Sequence, residues 1–261
     1  MDYEEFKKNV QLLTRNNLSD YKERQMKRRI DTLMRRNGFQ QYDEYIRSLR
    51  IDKELYTEFV NLLTINVTEF FRNKERWDIL GHTILPELLR DDRSIKVWSC
   101  ACSTGEEACS VAILLLEQLP PRQVHILATD IDQESLNLAR QGVYSFVSRD
   151  KIPAGVLGKH FDSEDNKNTV RKHVLDCITY QKLDLLRDRY PDNCDLILCR
   201  NVMIYFTDEA KDRIYRKLYD SLRVGGYLFV GNTEQIISCD RYGFRSVNSF
   251  FYKKEQKSDS E

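Results

Sequence analysis

The sequence predicts an α/β fold in which a doubly wound, mostly parallel sheet follows a helical amino-terminal domain. The first observation is that apolar strands and amphipathic helices alternate from Ile95 onward. The second is that apolar residues before this point recur only at helical spacing. The third is the order strand, glycine loop, helix, strand and aspartate between Ile95 and Asp132. In open α/β sheets, this order builds a nucleoside pocket at the carboxyl ends of the strands.

Four short amphipathic helices are predicted in the amino-terminal domain, which we place at residues 1–72. Their apolar stripes fall within Phe6–Leu13, Met26–Met34, Tyr42–Leu49 and Leu55–Leu63. Asn37-Gly38 is a helix stop signal. Residues 73–92 are predicted to form a linker helix.

The second domain is predicted to span residues 93–255, followed by a polar tail at 256–261. Its last two strands, Phe244–Val247 and Phe250–Tyr252, read as a hairpin at the sheet edge. The other strands are expected near 95–101, 124–129, 177–182, 195–200 and 226–231, with helices near 105–118, 133–141 and 208–222.

Residues 145–180 fit no simple strand–helix–strand unit and are predicted to form a small inserted β-subdomain. Within them, Phe161 to Asn168 is polar and is expected to be a loop. An insertion beside an active face often contacts a partner or substrate. A plain surface loop is the alternative.

Composition excludes several classes of protein. The 41 basic and 41 acidic residues cancel, so any attraction to an acidic partner must come from a local patch. The amino terminus lacks a secretory signal, and Val111–Leu116, the longest apolar run, is too short to span a bilayer. The seven cysteines include no CxxC pair. We therefore expect a cytoplasmic protein with buried reduced thiols and no metal site.

The loop Ser103–Glu107 is the candidate cofactor site. It lacks both GxGxxG and GxxxxGK[ST], so a dinucleotide or a phosphate cradle is not expected. It carries Glu106 and Glu107, whose charge suits a cationic ligand such as S-adenosylmethionine. Asp130, at the end of the second strand, is placed to bind ribose hydroxyls, and a helix cap is the alternative. Asp132 is predicted to cap the next helix.

Two further strand ends point to the same pocket. Asn201 follows the fourth strand directly, and Tyr205 lies four residues later. Tyr205 either lines the reacting centre or packs in the core. Asp184-Leu185, after the third strand, either borders the adenine or forms a turn.

Together these segments resemble the CheR family of chemoreceptor glutamate methyltransferases. The resemblance rests on Asn66–Arg72 (NVTEFFR), VWSCACSTGEEACS, ILATDID, CRNVMIYF and GGYLFVGNTE. It covers nearly the whole chain and implies a Rossmann-like methyltransferase domain with an inserted β-subdomain. The implied reaction transfers methyl groups from S-adenosylmethionine to receptor glutamate side chains and leaves S-adenosylhomocysteine.

The resemblance also implies roles for particular residues. Arg72 and Tyr205 are expected to orient the substrate carboxylate. The alternative for Arg72 is that it binds only the carboxylate of the cofactor or contributes only to packing between the domains. The sequence departs from the family at Asp184, where some relatives have Asn, and at Ala108-Cys109, where Pro-Tyr is common. The expected cofactor-binding residues are Asn66, Thr68, Arg72, Glu107, Asp130, Asp184, Leu185, Asn201 and Val202.

A basic segment, Tyr21–Arg36, carries a local charge of plus five from seven cations and two acids. Charges on a helix usually form a solvated face, but this excess of one sign favours a docking surface. The resemblance implies that its target is the acidic methylation helices of chemoreceptors. Neither binding to nucleic acid nor direct insertion into a membrane is expected. The predicted docking residues are Lys22, Arg24, Lys27, Arg28, Arg29, Arg35 and Arg36.

Two other functions are weighed against this one. A nucleic-acid methyltransferase would use the same basic helix, but the chain has Asn201–Tyr205 instead of a Pro-Pro-aromatic loop. A non-catalytic scaffold would not need the motif residues that the chain retains.

Overall fold

The computed structural model describes residues 1–63, 68–90, 93–145, 152, 155–164 and 167–255. Its contacts divide the chain into two compact units. The helical unit contains residues 1–65 and 202–213, and the sheet unit contains residues 66–201 and 214–261.

The described amino-terminal residues of the helical unit form four α-helices, as predicted: α1 (Tyr3–Thr14), α2 (Glu23–Arg36), α3 (Tyr42–Leu49) and α4 (Lys53–Leu63). Their apolar stripes meet in a core where Phe6, Tyr45 and Phe59 are fully buried. The ring of Phe59 lies edge-on to both of the others, an arrangement that aromatic pairs favour. Asn37 ends α2, as expected.

A later segment of the chain also belongs to the helical unit. The Lys22 N–H donates to the Tyr205 carbonyl at 2.9 Å, and the Thr207 N–H donates to the Asp20 carbonyl at 2.9 Å. Phe206 packs against Tyr21, with ring centroids 5.3 Å apart. Tyr205 is therefore fixed to the helical unit through its backbone.

The sheet unit is built on a seven-stranded sheet with the order β6-β2-β1-β7-β8-β10-β9. The first five strands of this order run parallel, and the last two form an antiparallel hairpin at the edge. The predicted parallel sheet and edge hairpin are thus confirmed. The strands of the protein are β1 (Ile95–Cys100), β2 (Val124–Asp130), β3 (Val143–Tyr144), β4 (Phe161–Glu164), β5 (Lys167–Val170), β6 (Ile178–Lys182), β7 (Cys194–Cys199), β8 (Leu222–Val230), β9 (Phe244–Asn248) and β10 (Phe251–Lys254).

Helices follow the strands of the large sheet at the predicted places. A helical stretch precedes β1 and contains a π-helical segment at Leu80–Ile84. Trp77 and Leu80 on this stretch are buried in the core of the sheet unit. The α-helices of this part of the chain are α5 (Lys74–Ile79), α6 (Leu85–Leu88), α7 (Glu106–Leu116), α8 (Gln133–Gln141), α9 (Val156–His160), α10 (Lys172–Leu175) and α11 (Asp208–Ser221).

A three-stranded antiparallel sheet with the order β3-β5-β4 takes two strands, β4 and β5, from the inserted region, whereas β3 lies just before it. The predicted small subdomain is confirmed, but the expectation of a loop at Phe161–Asn168 was wrong. Three of the four β4 side chains are exposed to solvent. This exposure explains why the segment is polar although it forms a strand. Backbone pairing with β5, which leaves no mark in hydropathy, forms the strand.

Among the described residues, no helix is long and apolar enough to cross a membrane. The cysteines that fall in or beside apolar strands are buried, in agreement with the expected buried thiols: Cys100, Cys102, Cys177, Cys194 and Cys199.

Asp195, near the start of β7, is a buried anchor of the sheet unit at 1% exposure. Its carboxylate accepts hydrogen bonds from Arg93, from Arg223 and from the Lys96 N–H at 2.8 Å. Burial alone raises the pKa of Asp195, but the bonds from Arg93 and Arg223 outweigh burial and leave this pKa below its ordinary value. The ionised carboxylate therefore stabilises the fold.

Asp195→Asn is expected to lower the free energy of unfolding by about 2 kcal/mol at neutral pH, because it removes hydrogen bonds to a charged group. A carboxyl group whose pKa is lowered on folding stabilises the folded protein at pH values above the pKa of the unfolded state, about 3.9. This stabilisation is lost as the pH falls through the pKa of the folded state. Urea unfolding of both proteins should therefore show a difference that shrinks below about pH 4. A difference that is absent at neutral pH, or constant down to acid pH, would contradict this role.

Candidate functional site

The carboxyl ends of the parallel strands form one edge of the large sheet. Cys100 at the end of β1 pairs with Thr129 of β2 on one side and Cys199 of β7 on the other. Asp130 pairs with Lys182 at the end of β6. The residues that follow these strands therefore emerge at the same edge.

The loop between β1 and α7 turns through three positive φ angles, at Ala101, Ser103 and Gly105. Gly105 has a φ of 94°, and a Cβ built there would lie 2.9 Å from the Cβ of Ala139. It would also lie 3.2 Å from the Tyr144 hydroxyl. Both the conformation and the close packing require glycine at this position.

Asp130 holds this loop in place. Its carboxylate accepts the Ser103 N–H at 2.8 Å and the Asp132 N–H at 2.9 Å. Burial raises the pKa of Asp130, and the backbone hydrogen bonds oppose this rise. A carboxylate has about four acceptor sites, so capacity remains for ribose hydroxyls. Asp132 accepts the Glu134 N–H at 2.9 Å, and its predicted capping role is confirmed.

Glu107 and Arg200 form a buried ion pair at this edge. Arg200 Nη1 donates to Glu107 Oε2 at 3.2 Å, and Ser99 Oγ donates to Oε1 at 2.9 Å. Burial raises the pKa of Glu107, whereas Arg200 lowers it. The neighbouring Glu106 instead accepts the Thr104 hydroxyl at 2.7 Å. The acidic pair of the loop thus has partners within the protein.

Arg72 lies in a tight turn between two residues with positive φ, Phe71 (50°) and Asn73 (62°). The Arg72 carbonyl accepts from Arg200 Nη2 at 2.8 Å and from Trp77 Nε1 at 3.0 Å. The Arg72 side chain is partly exposed. Burial is the main cause that lowers the pKa of Arg200, and the positive charge of Arg72 lowers it further.

Asn201, the residue after Arg200, has a φ of 59°. Its N–H donates at 2.5 Å to Glu234 Oε2, which also accepts the Gly231 N–H at 2.9 Å. Glu234 is 4% exposed. It therefore joins the ends of β7 and β8.

Sequence analysis missed Arg200 and Glu234 as site residues. Both stand in segments that carried the family resemblance, in CRNVMIYF and at the end of GGYLFVGNTE. The available signal was a charged residue close behind the apolar end of a strand, where burial demands a partner.

The remaining predicted cofactor residues differ in what the structure shows. Asp184 forms a turn, in which its Oδ1 accepts the Leu186 N–H at 2.8 Å. Burial raises its pKa. Leu185 is buried, whereas Thr68 is partly exposed. Asn66 lies outside the described residues, and Val202 belongs to the helical unit.

Two buried polar atoms at the strand ends, Ser103 Oγ and Arg200 Nε, have no hydrogen-bond partner among the described residues. Buried polar groups are normally paired. A bound molecule with polar groups at this edge would supply such partners, so the residues present fit a nucleoside cofactor. The residues that the structure describes contain no group of three or more His, Cys, Asp or Glu side chains arranged to hold a metal ion.

The seven predicted docking residues on and before α2 have different surroundings. Arg29 is half-buried and donates to the Leu62 carbonyl, and burial lowers its pKa. Lys27 pairs with Asp31 at 2.8 Å, and Arg36 pairs with Glu58. The other four are exposed: Lys22, Arg24, Arg28 and Arg35.

Comparisons with known proteins agree with this organisation. Residues 66–251 match the family model described as "CheR methyltransferase, SAM binding domain". Residues 1–64 match the model described as "CheR methyltransferase, all-alpha domain".

Similar proteins carry the name chemotaxis protein methyltransferase. One from Listeria innocua is 41% identical over 238 residues, and one from Listeria monocytogenes is 40% identical over 238 residues. Each alignment covers 91% of both chains. A third, from Borreliella burgdorferi, is 32% identical and covers 84% of this chain and 83% of that one.

The predicted family, fold and cofactor are thereby confirmed. The chain belongs to the CheR methyltransferase family and is an S-adenosylmethionine-dependent methyltransferase of chemotaxis.

Proposed function

We propose that the protein acts in the cytoplasm and methylates glutamate side chains on the cytoplasmic helices of chemoreceptors, giving glutamate methyl esters. The observation that carries this proposal is the balance of charge at the strand ends. Arg200 neutralises Glu107, Asp130 keeps acceptor capacity for a ribose, and Arg72 is partly exposed on a fixed turn. A cation held this way suits an anionic substrate.

S-adenosylmethionine supplies a methyl group on a sulfonium, which a nucleophile displaces in line. The side chain of a glutamate in water has a pKa of about 4.3 and is ionised at neutral pH. The protein therefore needs no general base and has to orient the carboxylate and limit water around it. We propose Arg72 and Tyr205 for this orientation. Asn66, Thr68, Arg72, Glu107, Asp130, Asp184, Leu185, Asn201 and Val202 remain the proposed cofactor-binding residues.

The proposed docking surface is the exposed face of α2. Arg24, Arg28 and Arg35 lie at positions i, i+4 and i+11, which share one helix face. The buried side of the same helix carries Met26 and Ile30. We propose that the basic face steers the protein to acidic receptor helices, since complementary charge raises association rates.

The product distinguishes this function from nucleic-acid methylation. Incubation with labelled S-adenosylmethionine and receptor-containing membranes should label receptor protein, and alkali should release the label as methanol. Esters hydrolyse under these conditions, whereas methylated amines do not. Alkali-stable label, or label on added nucleic acid, would contradict the proposal.

Arg72→Ala is expected to reduce transfer about a hundredfold, because loss of a positioning group costs rates of this order. The fold should survive, since the side chain is partly exposed. Single-turnover transfer and thermal unfolding measure the two effects. Arg76→Ala, a substitution of a nearby partly exposed arginine, is the matched control and should transfer normally. Normal transfer by folded Arg72→Ala would refute the role.

Reversing the basic face with Arg24→Glu, Arg28→Glu and Arg35→Glu should raise the receptor KM about tenfold at low salt, with kcat unchanged. Salt screens surface charge, so the effect should fade as ionic strength rises. The control is the triple reversal Lys8→Glu, Arg15→Glu and Lys53→Glu, which makes the same change in net charge at exposed sites of the same unit. Equal effects from both triple variants would show that net charge, and not this face, sets the KM.

A further inference from the structure

We propose that Arg200 is a positioning residue for methyl transfer, because it fixes the turn that carries Arg72. This inference rests on the proposed function, since it requires Arg72 to act in transfer. The sequence pattern shows Arg200 only as a charged residue directly behind a buried strand, whereas its contacts in the fold single it out.

The turn needs external support. Phe71 and Asn73, on either side of Arg72, have φ angles of 50° and 62°. Residues other than glycine occupy this region at a cost and persist there only when the surrounding structure holds them. The support must therefore come from contacts outside the turn.

Arg200 supplies that support on the carboxyl-terminal side of the turn. Its Nη2 donates to the Arg72 carbonyl at 2.8 Å and to Asn73 Oδ1 at 3.3 Å. Its Nη1 donates to Glu107 Oε2 at 3.2 Å. A guanidinium is a rigid planar fork, so one group sets the spacing between Glu107 and the turn.

The side chain of Arg200 is itself held by its surroundings. Arg200 is 6% exposed, and its guanidinium carbon lies 4.5 Å from the ring centre of Phe229 and 5.5 Å from that of Trp77. Glu107 is fixed from β1 by the Ser99 hydroxyl. Short contacts between buried or nearly buried groups therefore connect β1 to Arg72. They run from Ser99 to Glu107, then to Arg200, and from there to the Arg72 carbonyl.

A separate contact holds the amino-terminal side of the turn. The Phe71 N–H donates to Ser110 Oγ at 3.0 Å, and the Phe71 ring is buried. This contact does not involve the Arg72 carbonyl or Asn73. Loss of the Arg200 fork would therefore leave the Arg72 carbonyl with the Trp77 donor and remove the bond to Asn73, while Phe71 stays in place.

Arg200→Lys tests this inference. Lysine keeps the positive charge beside Glu107, but its ammonium is a single point that cannot reproduce the fork. We expect roughly a thirtyfold loss of transfer, mainly in kcat. In the Arg72→Ala background, the same substitution should change transfer less than threefold, because a residue that acts through Arg72 has nothing left to position. Single-turnover transfer of labelled methyl measures all four proteins of the cycle.

Trp77→Phe provides a second variant if Arg200→Lys fails to fold. It removes the other donor to the Arg72 carbonyl without changing charge. A smaller loss is expected, which again disappears when Arg72 is alanine.

Arg223→Lys is the matched control. Arg223 also bonds a buried carboxylate, that of Asp195, but near the opposite end of β7. Its transfer should stay within twofold of the unmodified protein. An equal loss in Arg223→Lys would overturn the inference by showing a general effect of weakened packing.

The outcomes separate this inference from the proposed function. Normal transfer by Arg72→Ala removes the role of Arg72, and the inference falls with it. A large loss in Arg72→Ala, combined with an Arg200→Lys effect that is absent or fully additive, overturns the inference alone.

Discussion

The buried ion pair of Glu107 and Arg200 is the interaction on which the site depends. Burial by itself raises the pKa of Glu107 and lowers that of Arg200, so it disfavours the charged form of each group. Each partner opposes this shift in the other. Removing one partner of a buried pair leaves an uncompensated charge. The pair therefore fixes the first turn of α7 to the end of β7, and through Arg200 it also fixes the turn at Arg72.

The acidic first turn of α7 argues against a phosphate cradle at this edge of the sheet. The amino terminus of a helix has a positive partial charge and commonly binds anions. In α7 the first turn carries Glu106 and Glu107, whose carboxylates already complement that charge. What stays available at the strand ends is acceptor capacity on Asp130, which suits hydroxyl groups. A nucleoside with a cationic sulfonium fits this chemistry better than a pyrophosphate does.

Much of the fold could be predicted from the sequence. Apolar residues that recur with a period of 3.6 residues in the amino-terminal domain, and short apolar strands in the second domain, are strong signals. Strand ends and the helix cap at Asp132 followed from the same patterns. A small β-subdomain was predicted here, but the positions of β4 and β5 within it were not, since backbone hydrogen bonds between polar segments leave no trace in hydropathy. Arg200 and Glu234 were missed for a related reason. Their roles depend on contacts with Arg72, Glu107 and Gly231, which the fold brings to them from other segments of the chain.

The basic helix shows how a charge count can mislead. Counted along the chain, α2 and its flank have a charge of plus five, but three of the seven cations serve the fold itself. Lys27 pairs with Asp31, Arg36 pairs with Glu58, and Arg29 is half-buried against the Leu62 carbonyl. The cations left for a partner are exposed, so water and salt screen them beyond about 8–10 Å. Such a surface acts on the rate of encounter more than on the strength of the bound state. That property suits an enzyme, which has to release its substrate after each transfer.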